Sequence, residues 1–319
     1  MISNRACALV SEIHWVMRFG ELTLKSRVVR GKFQNQLKRN LHHLADDFDV
    51  KIKLKIINHN FHIFSEDPVE KVEDLLCHLL GVVAIDRIRV LCDKVDEKLV
   101  SKMILDSDKN FGKNRSFGVR VRRVEKNPYH SSQSMARAVG TEMQKLDSSL
   151  SVDLTNPDIW VRLIMEPDRV SIVENRLQGC GGLPSGSQGD VLVRIKNEHD
   201  MLAGFLLMRR GTRLIPILDS DEKYVSILKK YDPFLGDRSK AKTTSGSKFT
   251  RPAWGYYGMS LEEVKPFVKQ PTGAIKTTPL SSLDPLCGWT EEEKSAIISH
   301  IYQPSLYSPE IDPSVWMND

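Results

Sequence analysis

The stretch from Val173 to Gly211, VENRLQGCGGLPSGSQGDVLVRIKNEHDMLAGFLLMRRG, constrains the fold of this chain more than any other, because it reads as a strand-turn-helix unit behind a glycine-rich lead-in. From Asp190 the letters DVLVRI form the continuous apolar run of a buried parallel strand. A short turn follows, then a helix from about Glu198 to Arg210 that closes on Gly211, a stop signal for helices. In units of this kind that hold a phosphate, the turn carries glycines and a hydroxyl, so that backbone N–H groups can approach the anion at the positive end of the helix. Here the turn is Ile195, Lys196, Asn197, Glu198 and His199, with no glycine and no serine. A lysine in place of glycine keeps the main chain away from a ligand. Asn197 suits a helix N-cap and Asp200 the first helical turn, a reading that outweighs an acid/base role for His199 and Asp200. Gly179, Gly181, Gly182, Gly186 and Gly189 precede the strand instead of following it, so they read as a turn-making linker.

The surroundings of this unit resemble the 4-thiouridine synthetase (tRNA sulfurtransferase) family. Arg176 and the run Gly181, Gly182, Leu183, Pro184 are similar to that family's linker, and Leu207, Met208, Arg209, Arg210, Gly211 to the end of its following helix. The resemblance implies a Ser-Gly-Gly-x-Asp-Ser PP-loop for ATP between them. This sequence departs from it: Lys196 and Asn197 stand where the two glycines belong, with Asp200 near the Asp-Ser position. Lys196, Asn197, His199 and Asp200 are therefore read as a degenerate, non-functional nucleotide loop. A second match lies far upstream, where RFGELTLKSRVVRGKF, Arg18 to Phe33, resembles the opening of the family's N-terminal domain. Two matches in the right order weigh more than either alone.

The 319 residues are enough for two or three domains, and a 40% hydrophobic content suits packed cores. No run of about 18 apolar residues indicates a membrane span, and the N-terminus makes a poor secretory signal, so an intracellular, cytoplasmic protein is expected. The five cysteines, Cys7, Cys77, Cys92, Cys180 and Cys287, contain no C-x-x-C pair, which points to neither a disulfide framework nor a metal site. The net charge of +5 is modest; its distribution matters more.

The first segment reads as a strand in HWVMRFGELTLKS and a helix from about Val28 to Ala45 with Val29, Phe33, Leu37, Leu41 and Leu44 on its apolar face. Two strands around Asn58 to Asn60 and a helix from Pro68 to about Leu80 complete a ferredoxin-like order. The middle segment holds SFGVRVRRVEKN, a helix from about Ser134 to Leu146 that buries Met135, Val139, Met143 and Leu146, and the strands DIWVRLIM and RVSIVEN. In family terms it resembles a THUMP domain, an RNA-binding module. Past Gly211 come LIPILD, a helix from about Asp221 to Tyr231, a polar loop through GDRSKAKTTSGSKF, and helices started by Ser260-x-x-Glu263 and Thr290-x-x-Glu293. About 130 residues from Asp190 onward are fewer than the family's complete PP-loop fold implies.

The fold class is therefore α/β: α+β ferredoxin-like (1–93) and THUMP (94–178) domains, a linker (179–189), and a truncated Rossmann-like PP-loop domain (190–319). Lys113, Arg115, Arg120, Arg122, Arg123 and Lys126 include one acid among them, Glu125; Arg120 and Arg122 project together from a strand and suit an RNA phosphate track, which Arg137 on the next helix could join. Lys25, Arg27, Arg30, Lys32, Lys38 and Arg39 form a second basic face on the first helix and its lead-in, which ordinary solubility explains about as well as RNA contact does. Cys287, in Leu286-Cys287-Gly288, is similar to the family's persulfide-carrying cysteine, although its neighbours supply acids and no base, so a merely retained cysteine is the preferred reading. Trp254, Tyr256 and Tyr257 suit core packing at least as well as base stacking. The expectation is a tRNA-binding protein that recognises the acceptor region by shape and phosphate contact, without cofactor, metal or ATP-dependent thiolation. The alternatives are a sulfurtransferase or adenylating enzyme that has rebuilt its ATP site, and a non-catalytic partner of a tRNA-modifying enzyme. For protein partners, the expectation is a second copy of the chain or a catalytic partner protein.

Overall fold

The structure, a computed structural model, describes residues 13–20, 26–57, 60–107, 111, 114–124, 131–217, 219–236, 253–264 and 281–308. Its first half contains β1 (Ile13–Arg18), α1 (Arg27–Asp47), β2 (Lys53–Ile57), β3 (Asn60–Phe64), α2 (Val69–Cys77), β4 (Ala84–Cys92), α3 (Glu97–Ser107), β5 (Ser116–Arg123) and α4 (Ser132–Leu146). Then come β6 (Ser151–Val152), β7 (Ile159–Met165), β8 (Val170–Gln178), β9 (Asp190–Val193), α5 (Glu198–Arg209), β10 (Arg213–Pro216), α6 (Glu222–Lys229), β11 (Ala253–Tyr257), α7 (Leu261–Val264), β12 (Ser281–Ser282) and α8 (Glu291–Tyr302). The fold is α/β. Two compact units emerge, one of Met1–Val16 with Asp86–Arg176, the other of Met17–Ile85 with Leu177–Asp319. Among the described residues no helix is long and apolar enough to cross a membrane.

In the first unit the strands are ordered β4-β8-β7-β5-β6, with β5 parallel to β7 and β7 antiparallel to β8. Alternation along β5 and β7 sends Phe117, Val119, Val161, Leu163 and Met165 to one face, where they meet Val100 and Ile104 of α3 and Met135, Val139 and Met143 of α4. Helix α4 starts on a capping box in which Ser131 accepts from the Ser134 N–H and Ser134 accepts from the Ser131 N–H. Its last residue departs from the sequence reading: Leu146 is 54% exposed, at the point where the helix ends and the chain turns extended at Asp147. Helix α3 is absent from the sequence reading although Leu99, Val100, Met103 and Ile104 recur at helical spacing, and it is well started, with Asp96 accepting from the N–H groups of Lys98 and Leu99.

The second unit contains α1, packed through Phe33, Leu37, Leu41 and Leu44, and the antiparallel pair β2-β3. Val29 proves exposed, since the first turn of α1 runs ahead of the core that the later turns cover. A separate parallel sheet is ordered β10-β9-β11-β12. Strand β9 lies between β10 and β11 and is buried at all four residues, as the apolar run required. Helix α5 buries Met201, Leu202, Ala203, Phe205, Leu207 and Met208 among Val225 and Leu228 of α6 and Ile297 and Ile301 of α8. The linker glycines are sterically required where the chain passes the end of α5: Gly182 has φ +70°, and a Cβ there would lie 2.2 Å from the Arg209 carbonyl oxygen. Farther on, buried Asp232 accepts hydrogen bonds from Ser185 at 2.5 Å and from Arg213 at 3.2 Å.

Candidate nucleic-acid interface

The face of β5 and β7 that turns away from α3 and α4 carries Gly118, Arg120 and Arg122 from one strand and Trp160, Arg162 and Ile164 from the other. Register sets Gly118 beside Trp160, Arg120 beside Arg162 and Arg122 beside Ile164. Gly118 leaves room for the indole, since a Cβ there would stand 2.6 Å from the Trp160 ring. The Arg120 guanidinium lies 3.8 Å over the centre of that ring. Arg120 and Arg122 are exposed. Like charges directly opposite on neighbouring strands repel, and no ion pair to Arg120 or Arg162 occurs among the described residues. Other arginines of the same unit contrast with them: Arg87 and Arg89 pair with Glu174, Arg169 with Glu166, and Arg176 with buried Asp86. The structure thus leaves two adjacent guanidiniums, exposed Arg120 and half-buried Arg162, on the sheet face away from α3 and α4.

Other basic residues read from the sequence are distributed differently. Arg115 is exposed just before β5, near Asp158, whose carboxyl is held below its ordinary range by the Ser116 N–H and hydroxyl and by Arg115. Arg123 is exposed at the strand end, and by alternation it leaves from the opposite side to Arg122. Arg137 is exposed on α4, which covers the core face, so the sheet itself separates Arg137 from Arg120. Lys25, Lys113 and Lys126 lie outside the described residues. On α1, Arg27, Lys32 and Lys38 are exposed, Arg30 is half-buried, and Arg39 stacks 4.4 Å over the Phe234 ring. Trp160 and Arg162 were missed by the sequence reading. The alternation of DIWVRLIM could have placed both on the polar face.

The turn at the end of β9 is organised in the opposite way. Asn197 caps α5, its side chain accepting from the Asp200 N–H at 2.9 Å. Asp200 accepts from the Lys196 N–H at 2.9 Å and from the Tyr257 hydroxyl at 3.1 Å. Burial and the Asp200 charge push the Tyr257 phenol up. Arg194 pairs with Asp219 at 3.0 Å and Glu263 at 2.6 Å, and Lys196 with Asp219 at 3.2 Å. Arg194 is the main cause that brings the Glu263 carboxyl down to about 2, with the Ser260 N–H and hydroxyl adding to it. His199 faces Glu291 at 3.8 Å, and Glu198 accepts from the Tyr302 hydroxyl. Tyr256 packs with Leu192 and Ile215; the Trp254 side chain lies outside the described residues.

Cys287 is exposed in a turn, its N–H donating to the Asp284 carbonyl at 3.4 Å. A second cysteine has a histidine beside it: the Cys180 Sγ donates to the Cys77 carbonyl at 2.9 Å and lies 3.5 Å from His300 Nε2. Complete burial pushes the Cys180 thiol up to about 12, which makes it a poor nucleophile. Among the described residues no group of three or more His, Cys, Asp or Glu is gathered for a metal ion.

The class of the N-terminal half follows from two family matches: residues 14–85 match the ThiI ferredoxin-like domain and residues 97–173 the THUMP domain. The tRNA sulfurtransferases of Escherichia fergusonii, Shigella sonnei and Citrobacter koseri are each 32% identical over 202 residues, covering 61% of this chain. The chain spans 41% of the length of those relatives. Among solved structures, PH1313 from Pyrococcus horikoshii Ot3 shares the fold with a TM-score of 0.68 at 22% identity, over 91% of this chain and 99% of that one. A 4-thiouridine synthetase in an RNA complex with bound ATP gives 0.66 at 17% identity, over 96% and 93%. The resemblance to 4-thiouridine synthetases read from the sequence is borne out.

Proposed function

We propose that this chain binds tRNA through the THUMP sheet face around Arg120 and does not carry out ATP-dependent thiolation. The observation that carries the first half is the pair Arg120 and Arg162, adjacent in register without a paired carboxylate among the described residues. A polyanion supplies the compensation the fold omits, and each phosphate neutralised also releases counterion. The relatives named as tRNA sulfurtransferases, and the related fold that was solved with RNA, support tRNA as the polyanion. Recognition rests on shape and phosphate contact, with the acceptor region as the target.

The second half rests on the turn before α5. A triphosphate needs bare backbone N–H groups there, and the Lys196 N–H is already engaged by Asp200. Side chains of Lys196 and Asn197 stand where the resemblance implies glycines, so these residues do not fit the ATP that the family would bring. Calorimetry with tRNA and with Mg-ATP, the latter with and without tRNA, tests both halves. Saturable heat with tRNA and none with ATP is expected; saturable ATP binding would instead mark a working adenylating enzyme.

A further inference from the structure

The RNA reading counts Arg120 as one basic residue among several, but its setting is particular. Three features converge on it: Gly118 opens space for an indole, Trp160 fills that space, and the Arg120 guanidinium carbon lies over the ring, 3.8 Å from its centre. A guanidinium held through its π face keeps its N–H fork in the plane of the group, where it remains able to donate. An aliphatic arginine on a surface strand, by contrast, loses several rotatable bonds when it engages a ligand. Arg162 then stands one strand away at the same level, about 5 Å across the sheet. Two guanidiniums at that spacing can share a single phosphate, one N–H pair from each side.

We propose that Trp160 is a positioning residue that holds Arg120 in place, and that Arg120 and Arg162 together form one defined phosphate clamp on the THUMP sheet face. This rests on the tRNA-binding reading. Neither Trp160 nor Arg162 needs to read a base; the ring orients a cation, and the cation pair grips the backbone at one point. Tolerance should follow the same logic. A ring at position 160 preserves the stack, whereas a smaller aliphatic side chain such as leucine lies beside Gly118 without a quadrupole.

The test is tRNA affinity, measured by fluorescence anisotropy over a range of salt, for the full chain and for Trp160→Phe, Trp160→Leu, Arg162→Ala and Arg120→Ala, with thermal melting of each. Trp160→Phe should bind within about twofold of the parent, and Trp160→Leu roughly three- to tenfold more weakly at unchanged melting temperature. Arg162→Ala and Arg120→Ala should each weaken binding roughly three- to tenfold, and the double variant, which frees the one shared phosphate, should lower the slope of log K against log salt by roughly 0.7 to 0.9. If Trp160→Leu binds like the parent while Arg120→Ala is weakened, the positioning role is wrong. A slope equal to the parent's in the Arg120→Ala, Arg162→Ala double variant removes the clamp, and this arm stands even if both Trp160 variants fold poorly. A parent chain that does not bind tRNA at all sinks the tRNA reading itself, a result distinct from the other two.

Discussion

The sheet face of β5 and β7 and the turn after β9 each gather basic side chains, yet they treat the charge in opposite ways. Around β9 every cation has its counter-ion: Arg194 meets Asp219 and Glu263, Lys196 meets Asp219, and the Lys196 N–H is taken by Asp200. On the THUMP face, Arg120 lies on an indole and Arg162 beside it, with no ion pair to either among the described residues. Exposed ion pairs are worth little to stability. Their consequence at β9 is local neutrality, which removes the attraction for an anionic ligand. The unpaired face retains that attraction. The difference teaches where this fold leaves charge for a partner and where it consumes charge internally.

The largest effect that could break this contrast is charge reversal. Arg120→Glu with Arg122→Glu should weaken tRNA binding by roughly a hundredfold near physiological salt, measured by filter binding, whereas Arg194→Ala with Lys196→Ala should change it less than twofold. Equal losses from both pairs would erase the distinction between the two regions.

A second effect sharpens the contrast through pH. His300 is fully buried beside Cys180, Phe205 and Arg209, and burial brings its pKa down to about 4, while burial also lowers that of His78. A histidine that stays neutral when folded is protonated first in the unfolded chain, so stability should fall as pH drops from about 6.5 toward 4 and level off below. The loss attributable to His300 should be roughly 3 kcal/mol, read from urea denaturation across that range. His300→Gln should flatten the dependence. Both histidines belong to the unit that contains β9, so acid sensitivity should be seen there, in hydrogen exchange of α5 and α8, before it reaches α4.

The smallest effect concerns the cap. Asn197→Ala should destabilise by about 1 kcal/mol through the lost bond to the Asp200 N–H, and calorimetry of the variant should still show no ATP binding. Saturable ATP heat on removal of the cap would mean that side chains alone were closing a competent site.

The elements that were legible were those whose sequence signal is local. The apolar DVLV run, the Asn197 cap, the Thr290-x-x-Glu293 capping box and the left-handed linker glycines all appear where their letters put them. Leu146 and Val29 were misread for one reason: helical periodicity names a face but not where the partner surface ends. Trp160 was overlooked because its role depends on Gly118 of another strand, a pairing fixed by register between β5 and β7 and not by spacing in the sequence. Arg137 was grouped with Arg120 because both are basic and near in sequence; the sheet between them is a tertiary fact. The Cys180–His300 contact joins residues 120 positions apart, and no local pattern announces it.

The most direct test of the central claim is the salt dependence of tRNA binding by the intact chain and by the triple variant Arg120→Ala, Arg122→Ala and Arg162→Ala. Two phosphate contacts should be lost, the one shared by Arg120 and Arg162 and that of Arg122, so the slope of log K against log salt should become shallower by roughly 1.4 to 1.8 in the variant. A slope identical to the parent's would show that the exposed charges of this face do not meet the RNA, and the account would fail there.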